Sequence, residues 1–366
     1  MELILSRIQR GHGLHALVRE IAPDAGSGSG NARRTRVLPL AWLAAAALVL
    51  LLLARNGAGF AHAFGRALHG GWQLVALAAV LEAASLAGYV VLQHRVIGRA
   101  DSRIRPKDSY DIALAGTTAT RMLPTAGLGG AAVTVWALRG RGLRGGEIAE
   151  RLLAFLLIIY AVYMAALLVC GAAVGSGLVH VAHGGALGLV AAALALCLTA
   201  AVVALLASPS PIKKILERLA AHPRMTRHAR AAAEQLPVLR AALLRTGREL
   251  RRPHPAHLGA VAWWAFDIGV LAAMLHAFGA PLALPVVVLA YFLGTMFNLL
   301  PLPGSLSGGL AGTLVVFGAP AAPALAAVLA YRTIAVWLPA TSGVASLFAL
   351  RATVARWRGE PAPGGR

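Results

Sequence analysis

Long apolar runs, separated by loops rich in arginine, constrain this 366-residue chain more than any other feature. Hydrophobic residues make up 58% of it and charged residues 13%. Several runs reach the roughly 20 residues that cross a bilayer core of about 30 Å, where only helices and closed barrels satisfy every backbone group. The pattern therefore predicts an all-α polytopic membrane protein. The predicted full spans are about 37–54, 72–97, 149–174, 185–207, 257–279 and 322–350.

Two further apolar segments, 110–139 and 284–318, are interrupted by proline and glycine. Both contain Gly-Thr, a short apolar stretch and then the pattern Leu-Pro-x-x-Gly. Each half is too short to cross the membrane alone, so each segment is predicted to form a re-entrant helical hairpin. Paired breaks at matching places in two halves are typical of a transport site. The breaks are assigned to Pro124, Gly127, Pro301, Pro303 and Gly304.

The formal net charge of +20 is concentrated in loops. The arginine-rich segments 98–109, 139–151 and 208–256 alternate with loops that carry few basic residues. This is the positive-inside pattern, so both termini are predicted to lie in the cytoplasm and the chain in the cytoplasmic membrane. Basic loops of this kind suit anionic headgroups, and a nucleic-acid partner is not predicted. With this orientation the hairpins enter from opposite sides, which makes the two halves an inverted repeat.

The same boundaries divide the chain into a membrane domain and two basic ends. The long basic segment inside the membrane domain is helical in pattern and is predicted to lie on the membrane surface, with a solvated linker as the alternative. The predicted segments are a basic, partly flexible N-terminal segment 1–36, a membrane domain 37–350 with halves of about 37–174 and 185–350 and a cytoplasmic loop 208–256, and a basic tail 351–366.

Four ionisable residues fall near the middle of the membrane: Glu82, Arg121, Asp267 and Arg332. Such residues are costly in lipid and indicate a functional site. Each half supplies one acid and one arginine. We predict that the two arginines bind an anionic headgroup, and that the two acids compensate their charge or bind a coupling proton. Structural ion pairing between the halves is the alternative, and it is compatible with ligand binding.

Polar residues beside the two breaks are further candidates for contact with a substrate, because they can hydrogen-bond either freed backbone or a ligand. Helices that start after the prolines would add N–H donors for phosphate. His180 and His183 lack nearby cysteine or carboxylate, so no metal site and no cofactor are predicted. Motifs of soluble enzymes are also absent from the sequence. The additional substrate-binding candidates are Asn298, Thr118, Thr120 and Tyr331.

Three motifs in the second half carry a resemblance to a known family. The segment NLLPLPG at 298–304, followed by AAVLAYR at 326–332 and VWLP at 336–339, resembles the lysylphosphatidylglycerol synthase transmembrane family. The segment LPTAGLGG at 123–130 is similar to an earlier motif of that family, and the resemblance covers roughly 37–350. It implies a flippase-like membrane domain that moves a lipid, or helps to move it, between leaflets.

The resemblance also sets expectations about chemistry. In the best-known members this domain precedes a soluble aminoacyl-transferase domain, which we do not expect in this chain, so we predict a stand-alone member that is not an enzyme. Members often carry a glutamate shortly after the second Pro-Gly turn. Here 307–312 reads SGGLAG, without an acid, which shifts attention to Glu82 and Asp267.

These observations predict translocation of a lipid by alternating access around the two broken hairpins. The expected substrate is an anionic or aminoacylated phospholipid or a polyprenyl-phosphate-linked lipid. The alternative is a secondary transporter for a small solute, since inverted repeats with broken helices serve both functions. A membrane-embedded transferase and a scaffold have less support. Membrane lipids are the predicted partners, with a second copy of the chain and a separate lipid-modifying enzyme as further candidates.

Overall fold

A computed structural model describes residues 71–100, 104–122, 128–181, 183–207, 226–251, 254–299 and 304–359. Several predictions fall elsewhere in the chain. The predicted first span 37–54, the N-terminal segment 1–36 and the prolines and glycine at the two hairpin tips lie outside the described residues, except Gly304. Those tip residues are Pro124, Gly127, Pro301 and Pro303.

The described residues form α-helices, with three-residue or four-residue 3-10 helices and no strand among them. The helices are α1 (Gly71–Val96), α2 (Pro106–Met122), α3 (Leu128–Gly140), α4 (Gly145–Gly175), α5 (Gly185–Ala207), α6 (Thr226–Arg251), α7 (Leu258–Ala277), α8 (Leu284–Thr295), α9 (Ser305–Val316) and α10 (Ala321–Gly359).

Five helices of this part of the chain, α1, α4, α5, α7 and α10, are long and apolar enough to cross a membrane. They match five of the six predicted spans, which confirms an all-α polytopic membrane protein. Helix α10 has 39 residues. At about 1.5 Å per residue it is roughly 58 Å long, well beyond the hydrocarbon core. Its last turns carry Arg356 and Arg358.

The two interrupted segments each form a pair of packed helices. Helix α2 lies against α3, and α8 lies against α9. Glycine allows this approach, because a side-chain carbon at Gly129 would lie 2.7 Å from the carbonyl oxygen of Ala119, and one at Gly294 would lie 2.7 Å from Leu310 Cα. Gly304 begins α9 with φ of 81°, in the left-handed region that favours glycine. That the pairs are re-entrant in a membrane stays a prediction.

Helices α1 and α7 cross where both carry glycine. A side-chain carbon at Gly88 would lie 2.9 Å from the carbonyl oxygen of Gly259, so small residues let the two backbones meet. Near this crossing, the Ser85 hydroxyl donates to the Trp263 carbonyl at 2.8 Å. One helical turn beyond these two residues lie Glu82 on α1 and Asp267 on α7, so the crossing brings two acidic side chains together.

Helix α10 contains Pro339 in its interior, and α2 packs on α10 at that point. The Thr118 hydroxyl donates to the Pro339 carbonyl at 3.1 Å. Four residues on, a side-chain carbon at Gly343 would overlap the Thr118 hydroxyl and lie 2.7 Å from the carbonyl oxygen of Leu114. The contact requires glycine, and it fixes the end of α2 against the middle of α10.

Replacing Gly343 with alanine should therefore destabilise the protein by about 1–3 kcal/mol, because the methyl group overpacks the interface between α2 and α10. Thermal unfolding in detergent, followed by circular dichroism, measures the change. Gly312→Ala on α9 is the matched control, since nothing lies within 4 Å of the added carbon. The control should be neutral or stabilising by up to about 1 kcal/mol. Equal midpoints for the two variants would contradict the described contact.

Candidate functional site

The guanidinium of Arg121 lies at the centre of a buried charge cluster. Arg121 occupies the last turn of α2, immediately before the undescribed tip 123–127. Its side chain is 12% exposed and pairs with two acids: Nη1 donates to Glu82 Oε1, and Nη2 lies 3.3 Å from Asp267 Oδ1. Its Cζ atom lies 5.1 Å from the ring centroid of Trp263, within cation–π range.

A backbone carbonyl on α10 completes the coordination of Arg121. In a regular helix the carbonyl of Ala335 would accept from the N–H of residue 339, but that residue is proline and has none. The freed carbonyl accepts instead from Arg121 Nη1. Lipid cannot supply a donor for this carbonyl, so the hydrogen bond from Arg121 satisfies it inside the protein.

Asp267 is held by three donors from three helices. Its Oδ1 atom accepts from Arg121. Its Oδ2 atom accepts from the Tyr291 hydroxyl on α8 and from the Tyr331 hydroxyl on α10, the latter at 2.7 Å. Asp267 is 2% exposed, and these donors satisfy both of its oxygens in that interior. The hydroxyl of Tyr331, which the sequence suggested as a substrate ligand, therefore donates to the Asp267 carboxylate.

Glu82 is fully buried and less completely bonded than Asp267. Its Oε1 atom accepts from Arg121, whereas its Oε2 atom is buried without a hydrogen-bond partner among the described residues. Glu82 and Asp267 both pair with the Arg121 guanidinium. The site therefore holds two neighbouring carboxyls around one guanidinium.

Arg332 is the second arginine near the site, and it belongs to neither of the two ion pairs of Arg121. It follows Tyr331 on α10, is partly buried and interacts electrostatically with Arg121 and Asp267. Its guanidinium forms no hydrogen bond or ion pair within the ranges that the structure describes. Each half supplies one acid and one arginine, as the sequence indicates, and in the structure both acids bind Arg121.

The remaining candidates from the sequence have different surroundings. The Thr118 hydroxyl binds the Pro339 carbonyl, and the Thr120 hydroxyl accepts from the Gly130 N–H at 2.7 Å, which ties α2 to α3. Asn298 is exposed in the 3-10 helix Met296–Leu299, directly before the undescribed residues 300–303. Among the residues described, no group of three or more His, Cys, Asp or Glu side chains is placed to hold a metal ion.

A family model described as the lysylphosphatidylglycerol synthase TM region matches residues 36–343, most of the chain. The chain belongs to the lysylphosphatidylglycerol synthase transmembrane family. The family suspected from the hairpin motifs is thereby confirmed. A search of curated proteins gave no match.

Within this member of the lysylphosphatidylglycerol synthase transmembrane family, two parts of the cluster were not identified from the sequence. Trp263 precedes Asp267 by four residues, so helical spacing places both on one face. Pro339 follows Ala335 by four residues, which identifies the carbonyl that a proline leaves free. Both signals are present in the sequence, but only the fold shows that they converge on Arg121.

Removing the shared guanidinium should cost more stability than removing any exposed arginine. Arg121→Met keeps much of the side-chain length but removes the guanidinium that donates to two buried carboxyls and one carbonyl. It should destabilise the protein by about 3–5 kcal/mol. Arg351→Met, at an exposed position of α10, is the control and should change stability by less than about 0.5 kcal/mol. Chemical unfolding in detergent compares the two. An Arg121→Met protein as stable as the control would show that the cluster does not form.

Proposed function

We propose that this protein translocates a lipid with an anionic headgroup between the leaflets of the membrane. The observation that carries the proposal is Arg332, which lies in a membrane-spanning helix and has no hydrogen bond or ion pair of its guanidinium among the described residues, beside a charge cluster whose other arginine is already bonded. An uncompensated cation at this depth is costly, and a bound anion would remove that cost. Membership of a family named for a phospholipid synthase supports a lipid as the source of that anion.

The headgroup chemistry follows from the cation. A guanidinium binds phosphate through two parallel N–H donors, and phosphate is common to phospholipids and to polyprenyl-phosphate-linked lipids. The proposed substrates are therefore an anionic or aminoacylated phospholipid or a polyprenyl-phosphate-linked lipid. Under this proposal Arg332 binds the phosphate, whereas Arg121 holds the carboxyls and the hairpin end in place.

The proposed path runs along α10, which contacts both hairpins. Helix α2 packs on α10 through Thr118 and Gly343, and α9 also packs on α10. Movement of one hairpin against α10 at a time would open the site first to one leaflet and then to the other, by alternating access. The proposal assigns transport, and no chemical conversion of the lipid, to this chain.

Arg332→Gln should lower headgroup-dependent lipid movement by about 10- to 100-fold, the equivalent of one charge-assisted contact. The assay uses liposomes that contain the purified protein and fluorescent phosphatidylglycerol or phosphatidylcholine, with dithionite to reduce the dye in the outer leaflet. Arg351→Gln, an exposed arginine on the same helix, should move lipid as the unsubstituted protein does.

Movement of both lipids at the rate of protein-free liposomes would contradict lipid translocation and favour the small-solute transporter. Equal rates for Arg332→Gln and Arg351→Gln would leave translocation in place but would remove Arg332 from the site. Monodispersity of each variant in size-exclusion chromatography establishes that the compared proteins are folded.

A further inference from the structure

Glu82 is a buried carboxyl group that its ion pair leaves incompletely satisfied. Its Oε1 atom accepts from Arg121, but its Oε2 atom has no partner in the part of the chain that the structure describes, although the residue is fully buried. A charged carboxylate oxygen without a donor is costly in an apolar interior. Addition of a proton to Oε2 removes that cost by making the group neutral.

The neighbouring carboxyl explains where the proton resides. Asp267 receives donors on both oxygens. Glu82 has one donor and pairs with the same guanidinium as Asp267. Two carboxyls that share one guanidinium repel each other when both are ionised, and the pair then retains one proton. The uneven distribution of donors assigns that proton to Glu82.

Each helix packed on this pair of acids contributes charged or titratable groups. One of them is the cation Arg332, which forms no ion pair with either acid. The groups are Arg121 on α2, Asp267 on α7, Tyr291 on α8, Tyr331 and Arg332 on α10, and Tyr89 farther along α1.

We infer that Glu82 is a proton-binding site that couples lipid movement to a proton gradient, a role that rests on the proposed function. With Glu82 protonated, Arg121 and Asp267 cancel each other, and Arg332 is left as a single positive charge. An anionic headgroup then makes the site neutral. With Glu82 ionised, the two acids already cancel the two arginines, and the same headgroup would add an unbalanced negative charge. A low-dielectric interior strongly favours the neutral combination.

Proton and headgroup therefore favour each other's binding, and this linkage is reciprocal. On the acidic side of the membrane the proton and the headgroup both bind, because protonation of Glu82 leaves the charge of Arg332 uncompensated. When the site opens to a more alkaline compartment, the proton leaves Oε2 for water and the headgroup leaves Arg332. The consequence is movement of one proton and one anionic headgroup in the same direction.

The test uses the full chain in liposomes with fluorescent phosphatidylglycerol and an imposed pH gradient. The unsubstituted protein should move the lipid faster from the acidic side, and reversal of the gradient should reverse the preference. Glu82→Gln keeps the size of the neutral acid but cannot exchange the proton, so the lipid movement that it supports should not respond to the gradient. Glu150→Gln is the matched control, because Glu150 pairs with Arg245 away from this site, and it should keep the response.

Lipid movement that ignores the gradient in the unsubstituted protein, or a full gradient response in Glu82→Gln, would overturn this inference and leave the proposed function intact. Absence of lipid movement under every condition would overturn both.

A second measurement does not depend on the folding of Glu82→Gln. Short-chain phosphatidylglycerol is titrated into the detergent-solubilised, unsubstituted protein by calorimetry, in two buffers with different ionisation enthalpies. At the alkaline end of a pH series, Glu82 is ionised before the lipid binds. The linkage then requires uptake of about one proton per lipid, so the two binding heats should differ by about the difference between the ionisation enthalpies of the buffers. Equal heats in both buffers at every pH would overturn the inference.

Discussion

A proline within a membrane-spanning helix creates the requirement that organises the rest of this site. Pro339 leaves the Ala335 carbonyl without its helical donor in an environment where lipid offers none. Arg121 supplies the donor, and the buried guanidinium then requires anions. Glu82 and Asp267 meet that requirement from two other helices. Through Arg121, one backbone carbonyl is thus linked to side chains on α1, α2 and α7 as well as to α10.

The membrane-spanning helices were largely predictable from the sequence, because lipid imposes length and hydrophobicity on each span directly. Five predicted spans correspond to helices that are long and apolar enough to cross. The pairing of the buried charges was not predictable in the same way. The sequence places one acid and one arginine in each half, but the crossing at Gly88 and Gly259 brings both acids to Arg121. That crossing is a tertiary contact, and hydropathy contains no information about it.

The threonines beside the first break illustrate a second limit. Hydroxyl groups next to a broken helix can bind a ligand or the freed backbone, and the sequence does not distinguish these roles. The structure commits Thr118 to the Pro339 carbonyl and Thr120 to the Gly130 N–H. Pro339 itself was a usable signal, since a proline in a predicted span identifies a free carbonyl four residues earlier. Its arginine partner, more than 200 residues away, could be found only in the fold.

We propose that Arg332, whose guanidinium has no ion pair within the described part of the chain, binds a lipid phosphate. An experimental structure in nanodiscs of phosphatidylglycerol tests it most directly. We predict headgroup density with a phosphate oxygen about 2.7–3.2 Å from the Arg332 guanidinium, while Arg121 keeps its contacts with both acids. A structure in which Arg332 pairs with a protein carboxylate, or in which ordered lipid headgroups lie only at the membrane surfaces, would contradict it.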